Sequence, residues 1–170
     1  MDKTSFAGKA VALATVFVLT LLDQITKILA ADRLADGPFV IIPGVFELRY
    51  LENRGAAFGM LQNQRVFFLV LTVVFLAVIT YIYINIPADR KYLPLRILSV
   101  AVTAGAIGNF IDRLMLVYVR DFLYFSLIDF PIFNVADIYV TVSAFAFFVL
   151  VLAYYKDSDL EFLQSKKDTK

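Results

Sequence analysis

The 170-residue chain contains no histidine, no cysteine and no tryptophan. Without histidine, Ser-His-Asp and Cys-His catalysis fall away, and most zinc sites go with them. Without cysteine there is no disulfide framework, no thiol nucleophile and no thiolate metal site. Charge is sparse as well: 16 Lys and Arg against 15 Asp and Glu give a net charge of +1. That is no footprint for nucleic acid. Chemistry is left to Asp, Glu, Lys, Arg, Asn, Ser, Thr and Tyr, and no metal or other cofactor is expected.

Apolar residues fill the space. The chain is 61% hydrophobic, with a mean hydropathy of +0.77, against roughly 45–50% apolar usage in soluble domains. So small a soluble fold could not hide that surface, and lipid is the expected solvent. A hydrocarbon core ~30 Å thick takes a helix of about 20 apolar residues, and four stretches qualify, at about 8–29, 66–86, 93–114 and 135–155. The expected fold is an all-α polytopic membrane protein, one domain over 1–170. Lys3 and Lys9 ahead of an apolar run have the form of a cleavable leader. Asp23 and Lys27 follow that run directly, with no small-x-small site, so a retained span is expected. The Lys and Arg bias at span ends puts both termini in the cytoplasm. Segments 31–65 and 115–134 then lie outside, and a polar tail over 156–170 is expected to be mobile.

The first outer segment carries structure of its own. Pro43-Gly44 marks a turn, and Phe46, Leu48 and Tyr50 alternate with Glu47 and Arg49. A period of two reads as a strand, paired with Phe39–Ile42. In NRGAAFG, small residues between two glycines permit close backbone approach or simply turn the chain into the second span.

The polar residues gather in one layer. GNFIDR ends the third span and FNVAD begins the fourth, so Asp112 and Asp137 bracket one excursion and share a membrane face. Asp23, Lys27 and Asn53 reach the same face. Asn134 suits a helix N-cap with Asp137 in the first turn, where a carboxylate meets the positive end of the helix dipole. Asp23 and Lys27 have the spacing of an i,i+4 ion pair. Asp112, in a last turn, faces the negative end of the dipole and needs another explanation; Arg113 is one partner, Asp137 another. Two adjacent carboxylates share one proton, so one acts as base and the other as acid, and together they activate water toward an amide. In this reading Asp112 holds the proton and Asp137 the charge. Asn109 and Asn134, each three residues before an Asp, would hold the carboxylates by hydrogen bonding.

At these residues the chain resembles the bacterial lipoprotein signal peptidases, membrane-embedded aspartic proteases. Five segments carry the resemblance in order: LDQITK with Asp23 and Lys27, ENRGAAFG with Asn53, GNFIDR with Asn109, Asp112 and Arg113, VRDF with Asp121, and FNVAD with Asn134 and Asp137. The resemblance implies four membrane helices, a small extracytoplasmic β-cradle and a catalytic pair at Asp112 and Asp137. Asp23, Lys27, Asn53, Asn109, Arg113 and Asn134 would line or support the site. The implied substrate is a prolipoprotein whose cysteine already carries diacylglycerol, cut just before that cysteine at the outer face of the cell membrane. Membrane lipid would be the other partner, and the protein would act as a monomer. The outer sheet and the aromatic-rich LYFSLIDFPIF segment would clamp the peptide. Two departures stand out. Arg120 occupies a position that is usually apolar in the family, and 116–118 lacks a glycine that many members carry.

A different class, a small ion- or proton-coupled transporter subunit, would want polar groups near the bilayer midplane. Positions 70–79, 100–107 and 141–149 carry no charge, which argues against it. The GxGD signature of presenilin-type proteases is absent from the sequence.

Overall fold

The computed structural model describes residues 5–55 and 60–163. Four helices are long and apolar enough to cross a membrane: α1 (Phe6–Arg33), α2 (Arg65–Asn85), α3 (Leu93–Leu116) and α4 (Val135–Ala153). A three-stranded antiparallel sheet, in the order β1-β2-β3, joins them: β1 (Phe39–Ile42), β2 (Phe46–Asn53) and β3 (Val119–Tyr124). The expected four-helix, small-sheet architecture is therefore present, with a third strand added. At ~1.5 Å per residue α1 is about 42 Å long, more than a hydrocarbon core requires. Its C-terminal turns thus carry Asp23 and Lys27 into the polar layer.

α3 is the hub, with α1, α2 and α4 all packed along it. Its buried face is Leu95, Val102, Ala104, Gly105, Gly108 and Asp112. Small residues there let helix backbones approach closely. A Cβ at Gly105 would lie 2.5 Å from the Ala136 carbonyl oxygen, and one at Gly108 would run into the Asp23 carboxylate. α2, by contrast, has no buried residue. Val66, Phe67, Val70 and Val74 are more than half or about half exposed, as expected of a surface that meets lipid. Arg65 ties the start of α2 to the end of α3, donating to the Arg113 carbonyl (2.8 Å) and the Leu114 carbonyl (2.7 Å). A cation there also suits the negative end of the α3 dipole.

β1 and β2 form the expected hairpin across Pro43-Gly44, with Gly44 at φ +69. β3 pairs with β2 from Asn53↔Val119 to Glu47↔Tyr124, with an irregularity between Leu48 and Leu51. The tail departs from expectation: up to Leu163 it is folded back, not free. Asp159 pairs with Lys91 at 2.6 Å, and the Tyr92 hydroxyl donates to the Asp159 carbonyl at 3.0 Å. Lys3, residues 56–59 of the NRGAAFG run, and 164–170 lie outside the described residues.

α3 stops at Val117, which caps it at φ +74 and is followed only by Tyr118 before β3 begins. A β-branched residue in the left-handed region is a conformational outlier costing about 1–2 kcal/mol. Here lies the stretch that lacks a glycine. Val117→Gly is expected to raise thermal stability by several degrees, as relief of strain outweighs the added chain entropy of glycine. A melting curve of the purified protein reads it.

Candidate active site

The polar layer resolves into two connected groups. The first is an ion cluster. Lys27, fully buried, sits 3.0 Å from Asp23 Oδ2 and 3.7 Å from Asp112 Oδ2, and donates to Asn109 Oδ1 at 2.8 Å. Asp23 Oδ1 accepts from the Ala136 backbone N–H at 2.9 Å, tying α1 to the start of α4. Asp112, also fully buried, accepts from Arg120 three times: from the backbone N–H (2.9 Å), Nε (3.1 Å) and Nη2 (2.6 Å). Arg120 Nη2 donates also to Gln24 Oε1 at 2.9 Å. Bidentate guanidinium–carboxylate contacts of this kind are among the stronger hydrogen bonds.

The second group surrounds a cavity of about 250 Å³. Asp121 and Asp137 line it together with Asn53, Asn109, Arg113 and Thr141, and Phe130, Pro131, Ile132 and Phe133 form an apolar wall. Asp137 opens α4 in a capping box: the Asn134 side chain accepts from the Asp137 N–H (3.0 Å), and Asp137 Oδ2 accepts from the Asn134 N–H (3.1 Å). Its Oδ1 accepts from Asn109 Nδ2 at 2.7 Å. Asp121 Oδ1 accepts from Asn134 Nδ2 at 2.6 Å, and Oδ2 from Asn53 Nδ2 at 2.9 Å. Asn134 thus touches both carboxylates, and it donates as well to Asn109 Oδ1 at 3.1 Å. Lys27 and Asn134 both donate to the Asn109 oxygen, so the Asn109 amide nitrogen is left to face Asp137.

Every expected site residue falls in this layer, but the expected pairing changes. Asp112 is held in the Arg120–Lys27 cluster and is not among the residues that line the cavity with Asp137. Its carboxylate at the wrong end of a dipole is offset by donors eight residues downstream, not by Arg113. Arg113 instead lines the cavity, donating to the Gly55 carbonyl (3.3 Å) and lying 4.6 Å over the Phe68 ring. Asn109 holds Asp137, not the Asp three residues after it. The carboxylate that shares the cavity with Asp137 is Asp121, which the VRDF segment carries and to which the resemblance assigns no role. Gln24 and Arg120 were not expected in the layer.

Charge balance bears on protonation. The layer holds four acids, Asp23, Asp112, Asp121 and Asp137, against three bases, Lys27, Arg113 and Arg120, so one further proton makes it neutral. Asp121, only 1% exposed, is where it fits. Burial, and then the neighbouring Asp137 charge, push the Asp121 carboxyl up to about 7 against the hydrogen bonds from Asn53 and Asn134.

A polytopic membrane protein with a buried and a half-buried carboxylate, Asp121 and Asp137, facing one cavity is thereby defined. The comparisons with known proteins agree: a sequence model described as Signal peptidase (SPase) II matches residues 15–153, and the chain belongs to that family. It is 40% identical over 154 residues to lipoprotein signal peptidases of Streptococcus pyogenes serotypes M5 (strain Manfredo) and M18 (strain MGAS8232), covering 89% of this chain and 97% of each relative. A bacterial membrane enzyme solved by the in meso method at 2.3 Å resolution superposes with a TM-score of 0.75 at 30% identity, covering all of this chain and 99% of the other. A second, at 1.9 Å, gives 0.75 at 31% identity over 91% of this chain.

Proposed function

We propose that the chain is an aspartic endopeptidase that removes the signal peptide from diacylglyceryl-modified prolipoproteins, cutting just before the lipidated cysteine. We assign Asp121 and Asp137 as the catalytic pair, in place of Asp112 and Asp137. The observation that carries this reading is the shared cavity: two carboxylates, bridged by the Asn134 side-chain amide to Asp121 and its backbone N–H to Asp137, and an apolar wall. Family membership supplies the substrate class.

Asp137 takes a proton from water as the water oxygen bonds to the scissile carbonyl carbon, and Asp121 gives its proton to the carbonyl oxygen. The C–N bond then breaks as the proton on Asp137 passes to the departing amine, the amine of the lipidated cysteine. Asp121 recovers its proton as the carboxyl group of the signal peptide forms. The pair returns to one shared proton, with no covalent intermediate. Asn53, Asn109 and Asn134 hold the two carboxylates, and the ion cluster of Asp23, Lys27 and Asp112 holds the asparagines and helix ends. The cavity lies beside the sheet, at the end of α3 away from the charged α2–α3 turn, and the Lys and Arg bias supports an extracytoplasmic site. Acyl chains of the substrate stay in the bilayer at that depth.

Purified protein incubated with a diacylglyceryl-modified prolipoprotein should release the signal peptide, with an unlipidated control cut at least tenfold more slowly. Proton flux in proteoliposomes without cleavage would favour transport instead.

A further inference from the structure

We propose that Arg120 is a positioning residue: by clamping Asp112, it pins the strained turn after α3 and holds Asp121 in the cavity. The inference rests on Asp121 being half of the catalytic pair.

Three observations support it. First, neighbouring strand residues point to opposite faces. Arg120 reaches the Asp112 carboxylate and Gln24, and Asp121 reaches Asn53 and Asn134 on the cavity side. Fixing one side chain therefore fixes the direction of the next. Second, the regular pairing of β3 with β2 runs unbroken only from Val119 to Asp121, so Asp121 stands at the limit of what the ladder fixes. β3 is an edge strand, and its ladder to β2 is irregular directly beyond the Leu51↔Asp121 pair. Third, the connection upstream is under strain, since Val117 stands at φ +74 with a single residue before the strand. A turn that favours release needs a restraint beyond it. The three donors of Arg120 to one fully buried carboxylate supply that restraint. Besides these neighbours, Asp121 is faced by Asp137 from α4, Arg113 from α3 and Lys27 from α1.

The test uses the full-length purified enzyme and a diacylglyceryl-modified prolipoprotein. Arg120→Leu should lower kcat on the order of 10–100-fold, about the effect of displacing a catalytic group by ~1 Å. KM should stay within about threefold, since substrate binding is not the step lost. The alkaline limb of the pH–rate profile should move by roughly half a unit or more, because the surroundings of Asp121 change. Adding Val117→Gly to Arg120→Leu should restore most of the lost kcat by removing the strain that the clamp resists. Should Arg120→Leu not purify, Arg120→Lys keeps the charge but loses the two-pronged geometry, and is read the same way. A native kcat with an unchanged profile would overturn the proposal. So would a loss confined to melting temperature and active fraction, with the profile unmoved. Asp121→Asn run in parallel separates the layers. If it still cuts, the catalytic assignment and this inference both fall. If it is silent while Arg120→Leu is native-like, only this inference falls.

Discussion

Lys27→Met is expected to cost about 3–5 kcal/mol of stability, the usual penalty for removing one partner of a buried ion pair. The cause is local. Lys27 is the cation between Asp23 and Asp112, and all three are fully buried. Arg120 still covers Asp112, but Asp23 would keep only the Ala136 N–H and the Gln24 amide as donors. Activity should fall beyond the loss of folded protein, because Lys27 also holds the Asn109 oxygen and so aims its nitrogen at Asp137. Adding Asp23→Asn removes the stranded charge, and the double variant should melt well above Lys27→Met alone. Melting curves of the native, single and double variants read the coupling; simple additivity would argue against a shared ion cluster.

A second large effect is expected from pH. In the proposed mechanism Asp121 holds a proton at the start of turnover, and burial and the Asp137 charge push its carboxyl up to about 7. Since the protonated form is the working form, kcat/KM should fall tenfold for each unit of pH above that value, about 100-fold by two units higher. The same shift has a consequence for stability with a definite sign. A carboxyl raised above its unfolded value binds a proton more readily in the fold. Its ionisation therefore destabilises the protein progressively as pH rises from about 4 to about 7, and no further above that. Asp121→Asn should accordingly melt higher than the native protein at neutral pH and above, with the gap closing on acidification. The apparent constants belong to the pair, not to one residue. Stopped cleavage assays across pH, on lipidated substrate, read the first effect; a pH series of melting curves reads the second.

Much of this was legible in the chain, for physical reasons. Long apolar runs determine the helices, and Pro43-Gly44 with the alternation around Leu48 determines the first hairpin. Asn134 and Asp137 form the cap that their spacing foretold, and Asp23 and Lys27 form the i,i+4 pair. β3 was hidden because its sequence, VRDFLY, buries an aspartate and half-buries an arginine, so it shows no alternation of apolar and polar residues. Its partners are β2, distant in sequence, and Asp112, eight residues before Arg120 but across the turn that ends α3. The contacts of Asp112 with Arg120 are hidden for a related reason. A carboxylate at a helix C-terminus looked functional, because the donors that stabilise it come from the next strand. Arg120, noticed only as a departure, was the available signal. An arginine placed beside a membrane-embedded carboxylate has a reason to be there.

The most direct test is single-turnover cleavage of a diacylglyceryl-modified prolipoprotein by Asp121→Asn and Asp112→Asn, each rate scaled to folded enzyme. The account predicts that Asp121→Asn falls by at least ~10³-fold, in the range seen when one member of a catalytic set is lost. Asp112→Asn, disturbed only through Arg120 and Lys27, should keep a slow but measurable rate. An Asp121→Asn enzyme that cuts faster than Asp112→Asn would contradict it.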